Sequence, residues 1–154
     1  MKKILVILVA FILITGCGKG AEPDNKSLDL TKIKTNLSNL VIKDENYFDK
    51  EDGINNLDLL SSYSLDISLY DEYLISFPTE GIDPSMYIIV KPIKDTAVVK
   101  YQIDDMFEAY YNSYNAYYPE GAKLIKDRLE KTYGDYLIYI VSHDNDKVYN
   151  TIVK

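Results

Sequence analysis

Cys17 is the single cysteine of the chain, and its surroundings predict a chemical reaction at its thiol. Lys2 and Lys3 precede the apolar run 4–14, which carries no charge. Thr15 and Gly16 follow the run, directly before the cysteine. A charged start, an apolar run and small residues before a cleavage point form the layout of a secretory signal peptide. The run is shorter than the about 20 apolar residues that a membrane-spanning helix needs. The spacing therefore predicts that the leader is exported and removed, leaving Cys17 available for modification.

The string Ile14-Thr15-Gly16-Cys17 resembles the bacterial lipobox, in which an aliphatic residue and two small residues precede a lipid-modified cysteine. The resemblance implies a signal peptide over 1–16, cleavage before Cys17 and a diacylglyceryl group on its sulfur. Two or more acyl chains make membrane attachment stable. Residues 17–27 contain glycine, proline and charge, so they predict a flexible tether rather than the folded surroundings of a buried thiol. We expect the protein on the outer face of the cytoplasmic membrane, with the membrane as a partner through Cys17.

Outside Cys17, the chain offers little for enzymatic chemistry. Its single histidine, His143, falls between a predicted strand and a predicted helix, where a turn or capping role is the simpler interpretation. A hydrolase needs a nucleophile with a base within hydrogen-bond reach, so this alternative requires His143 beside a serine and a carboxylate. The acidic groups 49–53 and 144–146 lack the glycine and glutamate spacing of a calcium loop. We expect no enzymatic activity, no catalytic residue, no metal and no cofactor.

Charge limits the partners of the exported protein. The leader takes two of the 17 basic residues with it, so 15 remain against 24 acidic ones and the formal net charge falls from −7 to −9. Binding to nucleic acid needs a basic surface that displaces counterions. An acidic exterior is also unsuited to lying flat on anionic lipid. We expect no nucleic acid as a partner and a folded body that stands off the membrane.

Apolar periodicity predicts a single folded domain over 28–154. The predicted elements, in chain order, are helices over 30–41 and 54–62, strands over 72–77 and 85–91, helices over 96–118 and 119–126, strands over 129–133 and 136–142, and a last helix through Val148, Tyr149 and Ile152. The charged stretch 43–53 predicts a break, and Gly134-Asp135 predicts a hairpin turn. The order indicates an α+β fold. We expect a small antiparallel sheet of two β-hairpins, with the long helix and the C-terminal helix packed on one face, preceded by N-terminal helices.

The long helix carries an aromatic stripe close to the width of one buried helix face. Its members are Ile103, Met106, Phe107, Tyr110, Tyr111, Tyr114, Tyr117 and Tyr118. We expect the centre of the stripe to pack on the sheet, and we place Phe107, Tyr110, Tyr114 and Tyr117 there. The margins, Tyr111 and Tyr118, are expected to be exposed and to form a candidate binding surface, because aromatic rings suit saccharides and peptides.

Four segments follow one another in an order typical of a known family. They are the turn at 60–66, the strand and lysine-rich turn at 86–95, the Tyr-x-Pro break at 117–120 and the Gly-Asp-Tyr strand at 133–144. Together they resemble a family of bacterial lipoproteins classified as domain of unknown function 4358. The sequence departs from the family's pattern at Ser64, where glycine is more usual, and at Pro92. The resemblance implies a surface lipoprotein of low-GC Gram-positive type, and it carries over no catalytic residue.

The favoured hypothesis is a membrane-anchored extracytoplasmic lipoprotein that serves as a non-enzymatic binding or assembly module of the cell envelope. Its partner would be an unknown envelope protein or polymer. One alternative is a module that binds wall saccharides or peptides through Tyr111 and Tyr118. The other is a small hydrolase around His143.

Overall fold

The structure of the protein, a computed structural model, describes residues 26–38, 40, 45–50, 56–78 and 82–154. The predicted leader, Cys17 and the tether up to residue 25 lie outside the described residues. The strands are β1 (Glu45–Asp49), β2 (Tyr70–Pro78), β3 (Met86–Pro92), β4 (Leu129–Tyr133) and β5 (Tyr136–Val141). The helices are α1 (Leu30–Ser38), α2 (Asn56–Tyr63), α3 (Thr96–Tyr117), α4 (Pro119–Lys126) and α5 (Asn145–Ile152), with a 3₁₀ turn at Ile67–Leu69.

The five strands form one antiparallel sheet in the order β1-β2-β3-β5-β4. Both predicted hairpins are present, as β2–β3 and β4–β5. The pairing of β3 with β5, in which Ile89 lies opposite Ile138, joins the two hairpins. Gly134 turns the second hairpin at φ 56°, a conformation that glycine adopts without steric cost. The predicted α+β class, with a long helix, a C-terminal helix and N-terminal helices, is confirmed.

Helices cover both faces of this sheet. On one face, residues of the strands pack with residues of α2, α3 and α4. This cluster includes Ile75, Ile88 and Tyr139 from the strands and Leu59, Ile103, Phe107 and Ile125 from the helices. On the other face, residues of the strands pack with residues of α1 and α5. This cluster includes Leu74, Ile89 and Ile138 from the strands and Ile33, Leu37, Val148 and Ile152 from the helices. The expectation that the long helix and the C-terminal helix share a face is therefore corrected. Because β5 and most of β3 are continuously apolar, they are buried on both sides and need helices on both.

β1 is the element that the sequence analysis missed, since it lies within the charged stretch 43–53. It pairs with β2 at the edge of the sheet, where Tyr47 lies opposite Ser76. A five-residue edge strand depends on backbone hydrogen bonds to its neighbour and shows little apolar alternation. Its sequence therefore has the composition of a loop.

The sheet has two distinct ends. At the first, the Lys26 ammonium lies 5.3 Å from the centre of the Tyr133 ring, next to the β4–β5 turn, and we call this the Lys26 end. Helix α3 begins at this end, shortly after β3 finishes. Its 22 residues span about 33 Å and carry the chain to the opposite end, where β2 and β5 finish. The first described residues and the C-terminus of α3 thus lie at opposite ends of the domain.

Candidate binding surface

A cluster of large side chains lies at the end of α3, and we call it the tyrosine end: Ile82, Tyr114, Tyr117 and Tyr118. Ile82 is 62% exposed, Tyr117 79% and Tyr118 46%. α3 is about 33 Å long, whereas the seven-residue β3 spans about 23 Å. At the end of the helix Tyr117 and Tyr118 are uncovered, whereas Tyr114, one turn earlier, is half-buried. Apolar side chains that lie together on a surface are typical of interaction sites.

The position of Tyr117 corrects the sequence analysis. The helical period placed Tyr117 among the residues packed on the sheet, but Tyr117 is strongly exposed at the last position of α3. Tyr118 is exposed and Tyr111 is half-buried. Ile82 was not singled out by the sequence analysis. Its only sequence signal is the loop at Asp83-Pro84, which cannot reveal a contact with a helix end far along the chain.

A chain of aromatic rings connects the tyrosine end to the core. The ring centres of Tyr118 and Tyr114 are 6.1 Å apart, and those of Tyr114 and Tyr110 are 6.0 Å apart. Tyr110 lies 6.1 Å from Tyr63, which stacks on Phe77 at 3.8 Å. Burial, followed by the neighbouring Tyr63, raises the pKa of Tyr110 above its ordinary value. The exposed rings are thus attached to a packed, uncharged aromatic interior.

The loop beside the tyrosine end is held by Asp83. Its Oδ1 accepts hydrogen bonds from the Ser85 hydroxyl at 2.6 Å and from the Ser85 backbone N–H at 3.0 Å. Its Oδ2 lies 3.3 Å from Nε2 of His143, whose side chain is 72% exposed. Partial burial by itself would raise the pKa of Asp83, but the hydrogen bonds from Ser85 and the nearby His143 outweigh it and lower that pKa. Asp83 therefore joins the β2–β3 loop to the end of β5.

The hydrolase alternative required a serine and a carboxylate beside His143, and Ser85 and Asp83 lie there. Their hydrogen bonds, however, differ from those of a catalytic triad. In a triad, the imidazole accepts the proton of the nucleophilic hydroxyl and the carboxylate orients the imidazole. Here the carboxylate of Asp83 lies between the two and accepts the hydroxyl of Ser85 itself. Ser85 is also buried. The arrangement has the geometry of a capped turn.

Tyr111 lies beside a shallow cavity of about 420 Å³. The cavity is lined by Asp104, Phe107, Glu108, Tyr111, Lys126 and Arg128. The Arg128 guanidinium stacks over the Phe107 ring at 4.7 Å and pairs with Glu130 at 2.7 Å. Asp104 lies 3.5 Å from the same guanidinium and 3.7 Å from the Lys100 ammonium. Because these opposite charges pair with one another, we interpret them as ion pairs that hold the wall of the cavity together. Tyr111 lines this cavity, whereas Tyr118 contacts Tyr114 at the end of α3.

The Lys26 end carries a second group of paired charges. Glu72 accepts a hydrogen bond from the Tyr136 hydroxyl at 2.7 Å and from the Lys91 ammonium at 3.2 Å. Lys91 also pairs with Asp71 at 3.2 Å. Burial, followed by the hydrogen bond to Glu72, raises the pKa of Tyr136 to about 12. These contacts fix the start of β2 to the start of β5.

In the part of the chain that the structure describes, no three His, Cys, Asp or Glu side chains come together as metal ligands would. Across residues 26–154, apart from the gaps given above, no helix is both long enough and apolar enough to cross a membrane.

The family described as Domain of unknown function (DUF4358) matches residues 43–142, which include β1 to β5 and all of α3. No curated protein and no solved structure matches the chain.

Proposed function

Because the chain belongs to the family of domain of unknown function 4358, we propose a function that rests on its own residues: a lipid-anchored lipoprotein that binds an envelope component. The proposed anchor is a diacylglyceryl group on Cys17 after removal of residues 1–16. Residues 17–27 tether the domain 28–154 to the outer face of the cytoplasmic membrane. The domain acts by binding, without enzymatic chemistry.

The observation that carries this proposal is the placement of Lys26 and the tyrosine end at opposite ends of the sheet. Lys26 lies against Tyr133, so the proposed tether leaves the domain there. α3 begins at the Lys26 end and is about 33 Å long, and Tyr117 and Tyr118 lie at its far end. A domain held at its Lys26 end therefore presents its exposed aromatic rings away from the membrane.

The composition of the tyrosine end supports binding. Tyrosine offers a large apolar ring and a polar hydroxyl at a low cost in side-chain entropy, and it is enriched at protein interfaces. Tyr118 is held by its ring contact with Tyr114, so part of this surface is ordered before a partner arrives. A preformed surface loses less entropy on binding than a flexible one.

Binding is tested by crosslinking the full chain in its native envelope and quantifying the captured material. The test variant is Tyr117→Ser with Tyr118→Ser. The matched control is Tyr101→Ser, which removes a tyrosine that is 73% exposed near the start of the same helix. We expect the yield of a specific crosslinked product to fall about tenfold in the test variant, because interface aromatics often contribute most of the binding energy. The control variant should keep the wild-type yield. Equal yields in all three proteins would refute the binding surface.

The anchor is tested separately by mass spectrometry of the membrane fraction. We expect the N-terminal peptide of the purified chain to begin at Cys17 and to carry the mass of a diacylglyceryl group. Cys17→Ala should move the protein out of the membrane fraction. An unmodified thiol on a chain that keeps residues 1–16 would refute the anchor while leaving the binding surface open to its own test.

A further inference from the structure

We infer that α1 is a releasable strap: it detaches from the sheet while the rest of the domain stays folded, and its release lengthens the chain between the membrane and the sheet. The change in length rests on the proposed function, because it needs the anchor at Cys17. Three features of the described residues support the release of α1: its weak intrinsic helicity, the cavities on both of its flanks, and the small number of side chains that it buries.

α1 is too short and too poor in helix-forming residues to persist by itself. It has nine residues, whereas an isolated helix needs about 12–15. Five of the nine, two threonines, an isoleucine, an asparagine and a serine, are weak helix formers. The hydroxyl of Thr35 donates to the carbonyl of Thr31 at 3.1 Å, and that of Ser38 donates to the carbonyl of Thr35 at 2.9 Å. Such side-chain hydrogen bonds compete with those of the helix backbone. α1 therefore depends on its packing against the sheet.

Cavities flank α1 on both sides. One of about 420 Å³ lies between the first half of α1 and strands β1 and β2, and Leu30 and Lys34 line it. A second, of about 190 Å³, lies between α1 and the end of α5, and Asn36 lines it. Atoms next to a cavity lose the dispersion contacts that a filled core provides. The packing on which α1 depends is therefore incomplete.

α1 buries few side chains. Ile33 and Leu37 are its buried residues, and both belong to the cluster that covers this face of the sheet. The Lys34 ammonium lies 2.7 Å from Oδ2 of Asp49 on β1, and both side chains keep part of their surface exposed. An ion pair that water reaches contributes little to stability. The helix is thus attached by a small apolar contact and a partly exposed charge pair.

α5 covers the same face but is fixed at its start. The side-chain oxygen of Asn145 accepts hydrogen bonds from the N–H and the hydroxyl of Ser142 at 2.9 and 3.0 Å, and its nitrogen donates to the carbonyl of Asp127 at 3.1 Å. Asp144 caps the helix by accepting from the N–H of Lys147 at 3.0 Å. α5 therefore stays on the sheet when α1 leaves it.

Release of α1 extends the reach of the proposed tether. It breaks the hydrogen bond between the Leu28 backbone and the Tyr136 hydroxyl and the contact of Lys26 with the β4–β5 hairpin. Residues 17–27 can span at most about 40 Å, whereas residues 17–44, which end where β1 begins, can span at most about 100 Å. In the anchored protein, the domain then reaches further from the membrane.

The test is hydrogen exchange of the full chain in detergent micelles, measured by mass spectrometry at several urea concentrations below the unfolding transition. The exchange of an amide reports the free energy of the opening that exposes it. The discriminating variant is Ile88→Val, on the face of β3 that packs with α2, α3 and α4 and not with α1. The intact domain and the domain with α1 released both keep this side chain buried, so the substitution changes their energies equally.

We expect Ile88→Val to raise exchange in β3 and β5 about fivefold and to leave exchange in α1 unchanged. In the wild-type chain, α1 should exchange faster than β3, β5 and α5. Its exchange should also depend less steeply on urea, because release exposes less surface than unfolding does.

A pair of variants at one exposed position changes the strap itself. Asn36→Gly and Asn36→Ala both remove the same side chain, but glycine is much the weaker helix former. Exchange in α1 should be about fivefold faster in Asn36→Gly than in Asn36→Ala. Equal exchange in the two variants would contradict a docked helix at this position.

The outcomes separate this inference from the proposed function. A parallel rise in α1 and β5 in Ile88→Val, or an equal dependence on urea, would show that α1 opens only when the whole domain unfolds, and it would overturn the inference. Exchange in α1 without any protection would overturn it as well, because the helix would then not be docked. An unmodified Cys17 would instead refute the anchor and the change in reach, while the measured release of α1 would stand.

Discussion

Gly121 lies directly against the ring of Tyr114, so closely that a β-carbon at Gly121 would be 2.7 Å from Cδ1 of that ring and 3.2 Å from the carbonyl oxygen of Ile82. Only glycine leaves room for α4 to lie this close to α3 and to the β2–β3 loop. The contact brings three separate segments of the chain together, and it sets the position of the tyrosine end.

Gly121→Ala should therefore destabilise the protein despite the better helix propensity of alanine. Overpacking a filled site costs about 1–3 kcal/mol, and the alanine preference in a helix returns at most about 1 kcal/mol. We expect a net loss in the free energy of unfolding of about 1 kcal/mol, measured from urea denaturation. Unchanged or increased stability would contradict the close packing.

The same contact can be checked by a double-mutant cycle. Tyr114→Ala removes the ring that the new methyl group would meet. In that background, Gly121→Ala should no longer destabilise, and its effect should approach the helix-propensity gain alone. If the two changes are additive, the ring of Tyr114 is not the group that requires glycine at position 121.

Ser64→Gly should stabilise the domain. Ser64 has φ 58°, a left-handed conformation that is strained for any residue with a β-carbon, and it ends α2 where its N–H donates to the carbonyl of Leu60 at 3.0 Å. Glycine relieves this strain because it has no β-carbon. We expect a gain of about 0.5–1 kcal/mol in the free energy of unfolding.

The matched control for Ser64→Gly is Ser62→Gly, two residues earlier within α2. Ser62 is exposed and has a helical backbone, so glycine there should cost about 0.5 kcal/mol by helix propensity. Destabilisation by both variants would show that Ser64 is not strained.

Local signals in the sequence were enough to predict most of the elements. Pro119 begins α4 and Gly134 turns the second hairpin, because each residue constrains its own backbone. The two faces of the sheet were harder to assign, since apolar residues on β5 do not reveal which helix covers which side. β1 was missed because its pairing with β2 is a property of two segments and not of one.

The tyrosine end could be predicted only in part. The exposure of Tyr118 follows from its place at the margin of the helical stripe, but the exposure of Tyr117 depends on which elements the fold places over the end of α3. The contact of Asp83 with His143 joins residues 60 positions apart and leaves no local pattern. Side chains brought together by the fold can be recognised only once the topology is known.

Asp95→Ala should destabilise α3 at its start. Asp95 Oδ1 accepts hydrogen bonds from the backbone N–H groups of Ala97 at 3.0 Å and Val98 at 3.2 Å. Loss of such a cap costs about 1 kcal/mol, whereas asparagine caps about as well as aspartate. We expect a lower urea midpoint for Asp95→Ala at an unchanged m-value, and a near wild-type midpoint for Asp95→Asn. An equal loss in both variants would show that the charge of Asp95 matters more than its capping oxygen.

Buried tyrosines should make the domain sensitive to alkali. Burial is the main cause that raises the pKa values of Tyr136 and Tyr139 from 10.0 to about 12, and it raises those of Tyr70 and Tyr110 as well. Between pH 10 and pH 12 the unfolded chain has lost protons that the folded domain retains, so the free energy of unfolding must fall as pH rises through this range. The stability that these phenols contribute is complete below pH 10. Tyr139→Phe should make the decline less steep, because phenylalanine has no proton to lose.

Urea denaturation across this pH range measures the slope, and the absorbance of tyrosinate compares the titration of the folded chain with that of the chain in urea. Coincident titration curves, or a slope that Tyr139→Phe leaves unchanged, would contradict the assignment.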